Sequence, residues 1–186
     1  MEEIELFLDD AKDTMEKAIK HTQIELSKIR AGKASVAMLD GIQLDYYGSM
    51  TPLSGVASIN TPDARTIAVK PFERKLIADV ERAIRNSNVG LNPQNDGETI
   101  RLNIPPLTEE RRRDLVKKVK GEIEVGKVNI RNIRKDTNDA LRKLTKEGVS
   151  EDAVKQGEER AQKLTDTYIS RIDQLFATKE TDIMSV

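Results

Sequence analysis

Six cations recur at helical spacing in one stretch of the sequence: Arg113, Lys117, Lys120, Lys127, Arg131 and Arg134, separated by 4, 3, 7, 4 and 3 residues. On a helix they fall within about 100° of arc and extend about 32 Å. Lys135 and Arg142 flank the far end of this row, and Glu124 is the acid that interrupts it. A row of this kind can hold a line of phosphates, with arginine forking onto the oxygens. It can equally pair with acidic helices beside it, where each pair contributes little. The sequence leaves both readings open. Aromatic residues make up 3% of the chain and Trp is absent. That composition favours recognition of the shape and backbone of folded RNA over stacking on single-stranded bases.

The near-zero net charge of −1 hides this polarity. Residues 111–146 hold 13 cations against 5 acids, whereas residues 1–29 hold 4 against 8 and residues 147–186 hold 5 against 9. A local excess of that size attracts polyanions whatever the total. Other chemistries find little support. There is no cysteine, which excludes disulfides and thiolate sites. The segment Gly32-Lys33-Ala34-Ser35 resembles the end of a phosphate loop. It lacks the hydroxyl residue directly after the lysine and the glycine five residues before it, where Lys28 stands. His21 is the single histidine and reads as a solvated residue at a helix edge. Asp9-Asp10 and Glu109-Glu110 are adjacent on helices, so neither pair can face a common proton. No metal-ligand spacing appears. The expectation is a non-enzyme without cofactor or small-molecule substrate. No apolar run approaches the ~20 residues of a membrane span, and the acidic start MEEIELFLDD is unlike a signal or transit peptide. A cytoplasmic location is expected.

The row needs a long helix to carry it. After Pro105-Pro106, Thr108 can cap a helix that begins with Glu109 and Glu110. Its apolar seam runs Leu115, Val119, Ile123, Gly126, Ile130, Ile133, Thr137, Leu141, Leu144, and Gly148 ends it. Residues 3–30 read as another such helix, with Ile4, Leu8, Ala11, Met15, Ala18, Thr22, Leu26 and Ile29 on one face. Ser150 caps a third, with Val154, Gly157, Ala161, Leu164, Tyr168, Ile172 and Leu175 as its seam. Gly126 and Gly157 lie on seams and imply close helix approach. Gly121 lies off the seam, and the sequence gives no reason for it. Between the first two helices the period changes. Ile42/Leu44/Tyr46, Val56–Ile59, Ile67/Val69 and Ile100/Leu102/Ile104 alternate as strands, with one amphipathic helix near 73–87 and DG, YGS and TPD turn signals between. The fold class is α+β: a bundle of three long helices with a small α+β module inserted.

Several strings resemble the bacterial ribosome recycling factor family: LNPQNDGETIRLNIPPLTEERRRDLVKKVK at 91–120, KIRAGKAS at 28–35, LDGIQLDYYGSMTPL at 39–53 and NIRNIRKDTND at 129–139. The resemblance covers essentially the whole chain in order. It implies an L-shaped two-domain protein, with an antiparallel three-helix bundle over 1–30 and 106–186 and an inserted β/α/β domain over 31–105. It further implies hinges at Ala31-Gly32 and at Ile104, Pro105 and Pro106. The implied activity is the splitting of post-termination ribosomes into subunits, together with elongation factor G and GTP, by a protein expected to be a monomer. Arg134 matches the family arginine tied most closely to large-subunit binding, and Arg131 a neighbour one turn earlier. Lys135 and Lys33 stand where many relatives have arginine, which keeps the charge and loses the bidentate fork. Arg30 matches at the bundle end beside the hinge, and Arg111 and Arg112 match a pair after the Thr-Glu-Glu start, with structural pairing an equal reading for both. Arg134, Arg131, Lys135, Lys33 and Arg30, with Lys127, Lys120, Lys117 and Arg113, make up the expected contact with large-subunit RNA, and Arg30 could equally pin the hinge. Two alternatives remain at this level: a ribosome binder of the same fold that does not recycle, and a helical adaptor whose cations serve acidic proteins or only the bundle.

Overall fold

The computed structural model describes residues 2–185. The chain divides into two compact units. One comprises the chain up to Ala31 and from Glu109 onward, and the other is Gly32–Thr108.

The first unit is built from three long helices: α1 (Glu2–Lys28), α4 (Glu109–Lys143) and α5 (Glu151–Met184). Each follows the apolar period of its sequence. The buried residues of α4 are Leu115, Val119, Ile123, Gly126, Ile130, Thr137 and Leu141, which is the expected seam with Ile133 only half-buried. In α1 the seam passes through Ile19 rather than Ala18, and in α5 through Thr165 rather than Leu164. Both shifts are of one residue and bring a better-aligned side chain to the helix contact. Ile4 and Leu8 cluster with Leu141, Leu144, Val154 and Ala161, so the start of α1 meets the end of α4 and the start of α5. Hence α4 runs antiparallel to both of its neighbours. Three threonines sit in these seams because each hydroxyl donates to the carbonyl one turn earlier: Thr22 to Ala18 (3.0 Å), Thr137 to Ile133 (2.8 Å) and Thr165 to Ala161 (2.8 Å).

Glycine sets how closely the helices pack. A Cβ on Gly126 would lie 2.7 Å from Thr22 Oγ1, and one on Gly157 3.1 Å from Ile4 Cγ2 and 3.3 Å from a Leu141 methyl. A Cβ on Gly121 would meet nothing within 4 Å. The end of α4 tightens into a 3₁₀ turn over Leu144–Glu147 and stops at Gly148, whose φ of 99° favours glycine. Ser150 then accepts from the Ala153 amide at 3.3 Å and caps α5. Across the bundle, Glu16 accepts from both Nη1 and Nη2 of Arg171 (2.6 and 2.9 Å) and from the Tyr168 hydroxyl (2.8 Å). The Arg171 bonds first, then the Tyr168 bond, hold its carboxyl down at about 2 against an ordinary 4.5.

The second unit contains hairpin β1 (Gln43–Tyr46) and β2 (Ser49–Pro52), a single helical turn α2 (Leu53–Val56), strands β3 (Ala57–Asp63) and β4 (Thr66–Pro71), helix α3 (Ile77–Arg85), and strands β5 (Pro93–Asn95) and β6 (Ile100–Asn103). The main sheet is antiparallel in the order β3-β4-β6-β5. One apolar core joins Ile67 and Val69 of β4, Ile100 and Leu102 of β6, Val80 and Ile84 of α3, and Leu44 and Leu53 beside the hairpin. The segments leading in and out of this unit are tied to the β3–β4 turn. The Ala34 amide donates to the Ala64 carbonyl and the Ile104 amide to the Arg65 carbonyl, each at 2.8 Å. Gly32 has φ 73°, and a Cβ there would lie 2.6 Å from Leu107 Cγ.

Two stability outcomes follow from these contacts. Gly121→Ala should stabilise the protein by about 0.5–1 kcal/mol through helix propensity, whereas Gly126→Ala should destabilise it by about 1–3 kcal/mol through overpacking; urea unfolding of both variants tests the contrast. Glu16 has a depressed folded-state pKa, so its stabilisation is present above pH 4.5 and is lost as pH falls toward 2. Glu16→Gln should therefore be less stable than wild type near neutrality, and the gap in urea midpoint should close on acidification through that window.

Candidate nucleic-acid interface

The cations of α4 separate into two rows according to what they meet. The first lies toward α5. Lys127 Nζ is 2.6 Å from the Asp173 carboxylate, and its side chain is only 18% exposed. Arg142 Nε donates to Glu158 at 2.5 Å. Lys120 Nζ stands 6.0 Å from the centre of the Phe176 ring. Arg134 Nη1 donates to the amide oxygen of Gln162 at 2.9 Å. These contacts belong to the bundle, and the Lys127 and Arg142 charges are neutralised by it.

The second row is turned further from α5. Lys117, Arg131 and Lys135 are exposed, and no side-chain partner meets them among the described residues. On the helical wheel they lie about 160–200° from Leu115, whereas Lys120, Lys127 and Arg134 lie at about 100–140°; Arg142, at about 180°, reaches Glu158 of α5 from the outer row. Arg113 is exposed and pairs with Glu109, one turn back on its own helix, a pairing that competes weakly with a multivalent anion. Exposed Glu124 divides the row, so the densest unneutralised charge is Arg131, Arg134 and Lys135 within five positions. The geometry suits a run of phosphates alongside α4. Such contacts exchange protein cations for condensed counterions and are therefore salt-dependent.

The remaining expected residues fall out differently. Arg30 is exposed just past α1 and has no side-chain partner among the described residues. Lys33 is exposed in the second unit and does have an interaction of its own. Arg112 Nη1 donates to the Met184 carbonyl at 3.0 Å, a cation on the last turn of α5, as the helix dipole favours. Arg111 is likewise engaged. Ala31 and Gly32 span one boundary between the units; Ile104, Pro105 and Pro106 lie in the second unit ahead of the other boundary at 108/109.

Two surface features were missed by the sequence reading. Val125 and Val128 of α4 are 53% and 46% exposed. With Gly121 they form an uncharged strip beside the free cations; the signal was an apolar pair off the seam. In the second unit, the two-residue turn Tyr47-Gly48 has φ of 51° and 84°, the arrangement that asparagine-glycine usually fills. Tyr47 is held there, 71% exposed, by its bond to Glu73 (3.1 Å) and by Lys75, which lies against the ring and reaches the hydroxyl. Glu73 also accepts from Tyr46 at 2.6 Å. The Tyr46 bond first, then Lys75, whose Nζ is 3.1 Å from the Glu73 carboxylate, hold that carboxyl below the usual range.

No helix is long and apolar enough to cross a membrane, and no group of His, Cys, Asp or Glu among the described residues could hold a metal ion.

The chain is similar to known proteins along its whole length. The family model described as ribosome recycling factor matches residues 22–184. The ribosome-recycling factor of Cytophaga hutchinsonii is 59% identical over 186 residues, covering all of both chains. That of Porphyromonas gingivalis is 54% identical over 185 residues, covering 99% of this chain and 100% of its own. A solution structure of the ribosome recycling factor is 38% identical, covers both chains in full and superposes with a TM-score of 0.72. A second solved structure sets the Thermus thermophilus ribosome recycling factor and the Escherichia coli elongation factor G on the Escherichia coli post-termination complex. Its recycling factor is 40% identical, with a TM-score of 0.60 over 98% of this chain and 99% of that one.

Proposed function

This chain belongs to the ribosome recycling factor family, and from that premise we propose that it docks on the large ribosomal subunit through the free cations of α4 and splits post-termination ribosomes together with elongation factor G and GTP. The observation that carries the docking is the unneutralised row itself: Lys117, Arg131 and Lys135 project charge that the fold does not use. Arg134 adds a fork at the centre of the densest part. The first unit is then a rigid rod held by phosphates. The inserted unit is joined to it by two chain crossings, at 31/32 and 108/109, and these crossings are the proposed hinge. A nucleotide-driven partner pressing on the inserted unit converts docking into displacement of the subunits. The driving energy belongs to that partner, since this sequence carries no phosphate loop. A relative seen on a post-termination complex with elongation factor G supports this division of labour.

The competing reading, that the cations serve the bundle alone, accounts for Lys127 and Arg142 and does not reach the free row.

Light scattering of post-termination ribosomes should fall only when the protein, elongation factor G and GTP are all present; a fall without one of them, or none with all three, contradicts the proposal. Arg131→Ala should weaken large-subunit binding by about 1–3 kcal/mol and shallow the salt dependence by about one phosphate contact. Lys127→Ala should leave that slope unchanged, because Asp173 already neutralises the lysine. Equal slopes for Arg131→Ala and wild type would remove Arg131 from the interface.

A further inference from the structure

We infer that Gln162 and Asp166 of α5 are positioning residues for Arg134, fixing its guanidinium for the contact with large-subunit RNA proposed above, on which the inference rests. Arg134 Nη1 donates to Gln162 Oε1 at 2.9 Å, and Gln162 Nε2 donates to Asp166 Oδ1 at 2.8 Å. Gln162 and Asp166 are four residues apart and share a face of α5. Arg134 is half-buried between the helices, whereas Arg131 and Lys135 beside it are exposed and have no side-chain partner among the described residues.

The choice of partner separates Arg134 from its neighbours. Lys127 meets the carboxylate of Asp173 and Arg142 that of Glu158. Arg134 meets a neutral amide. An amide oxygen takes one donor of the guanidinium and leaves the full positive charge directed outward, which a carboxylate in the same place would cancel. With Nη1 held, the edge formed by Nε and Nη2 is left for a bidentate contact with a phosphate. An arginine side chain otherwise loses about 2 kcal/mol of rotamer entropy when it is ordered. Tethering it in the free protein removes part of that cost from binding.

Asp166 decides which way the amide faces. The two ends of a glutamine amide are similar in size and opposite in hydrogen bonding. Turned over, Gln162 would present its NH₂ to the donors of Arg134. By accepting from Nε2, Asp166 holds the oxygen toward the arginine. The relay therefore passes from a carboxylate that the arginine does not touch to a charge that remains whole.

The test is binding to purified large ribosomal subunits over a salt series, with melting temperature as the control for folding. Gln162→Ala should bind about 3–10-fold more weakly with an unchanged salt slope, since the charge is retained and only its placement is lost. In an Arg134→Ala background the same substitution should have no effect. Gln162→Glu should hold the guanidinium but cancel its charge, and so shallow the slope by about one contact. Melting temperatures should stay within a few degrees of wild type. The inference is overturned if Gln162→Ala binds like wild type, or if its loss is as large without Arg134 as with it. If Arg134→Ala itself binds like wild type, the docking role of Arg134 falls, and the relay with it.

Discussion

The structure depends on the burial of one seam. Helix α4 is 35 residues long, about 52 Å at the usual rise, and a helix inside a protein draws most of its stability from the packing of its apolar face. Helices α1 and α5 cover the seam from two sides, and they come close because glycine lets them. At Gly126 the side chains of Thr22 and Ile172 fill the place of a Cβ; at Gly157, Ile4 and Leu141 do so. Buried threonines keep the contact free of stranded donors by bonding one turn back.

That packing determines the fate of every cation on α4. A residue at the α5 edge of the seam is brought against an acid or a ring and becomes part of the bundle, as Lys127 and Lys120 do, while Arg134 meets an amide that leaves its charge whole. Further round, Lys117, Arg131 and Lys135 meet no side-chain partner among the described residues, whereas Arg142, at a like angle of about 180° near the end of the helix, still reaches Glu158 of α5. Segmental charge alone cannot make this separation. The excess of cations over residues 111–146 matches the excess of acids over residues 1–29 and 147–186, so complete internal pairing would have been consistent with composition. The packing of the helices decides it: acids of α1 take partners on α5, as Glu5 with Arg160 and Glu16 with Arg171, and Lys117, Arg131 and Lys135 stay exposed.

Much of this was legible in the sequence, because helical burial is periodic. The seam of α4 was placed to within one residue, the caps at Ser150 and Gly148 were readable from residue type, and the change of period marked the inserted α+β unit. The exchanges of Ala18 for Ile19 and of Leu164 for Thr165 were not legible. A seam's phase depends on how the partner helix is rotated, which a single helix does not encode. Strand β5 was missed for another reason: Pro93–Asn95 is a short, polar, proline-bearing edge, whose pairing is set by the strand next to it. The cationic row was visible, but its division was not. Whether Lys127 or Arg131 finds an acid depends on the rotation between two helices, and so belongs to the tertiary structure alone.

Gly121 shows the same limit from the other side. Its helical cost is real, and nothing within the fold uses the space it leaves. The face it occupies also carries Val125 and Val128, both exposed, and runs beside the free cations. Residues that stabilise a helix or its packing are explained by the helix. These three are not, and the cations next to them are not either. One continuous surface of α4 thus departs from what stability alone would select, in charge, in apolar exposure and in backbone propensity. The rest of the same helix obeys the rules of a buried seam closely. A single helix that is conventional on one side and costly on the other is what the proposed docking of that second side on the large subunit requires.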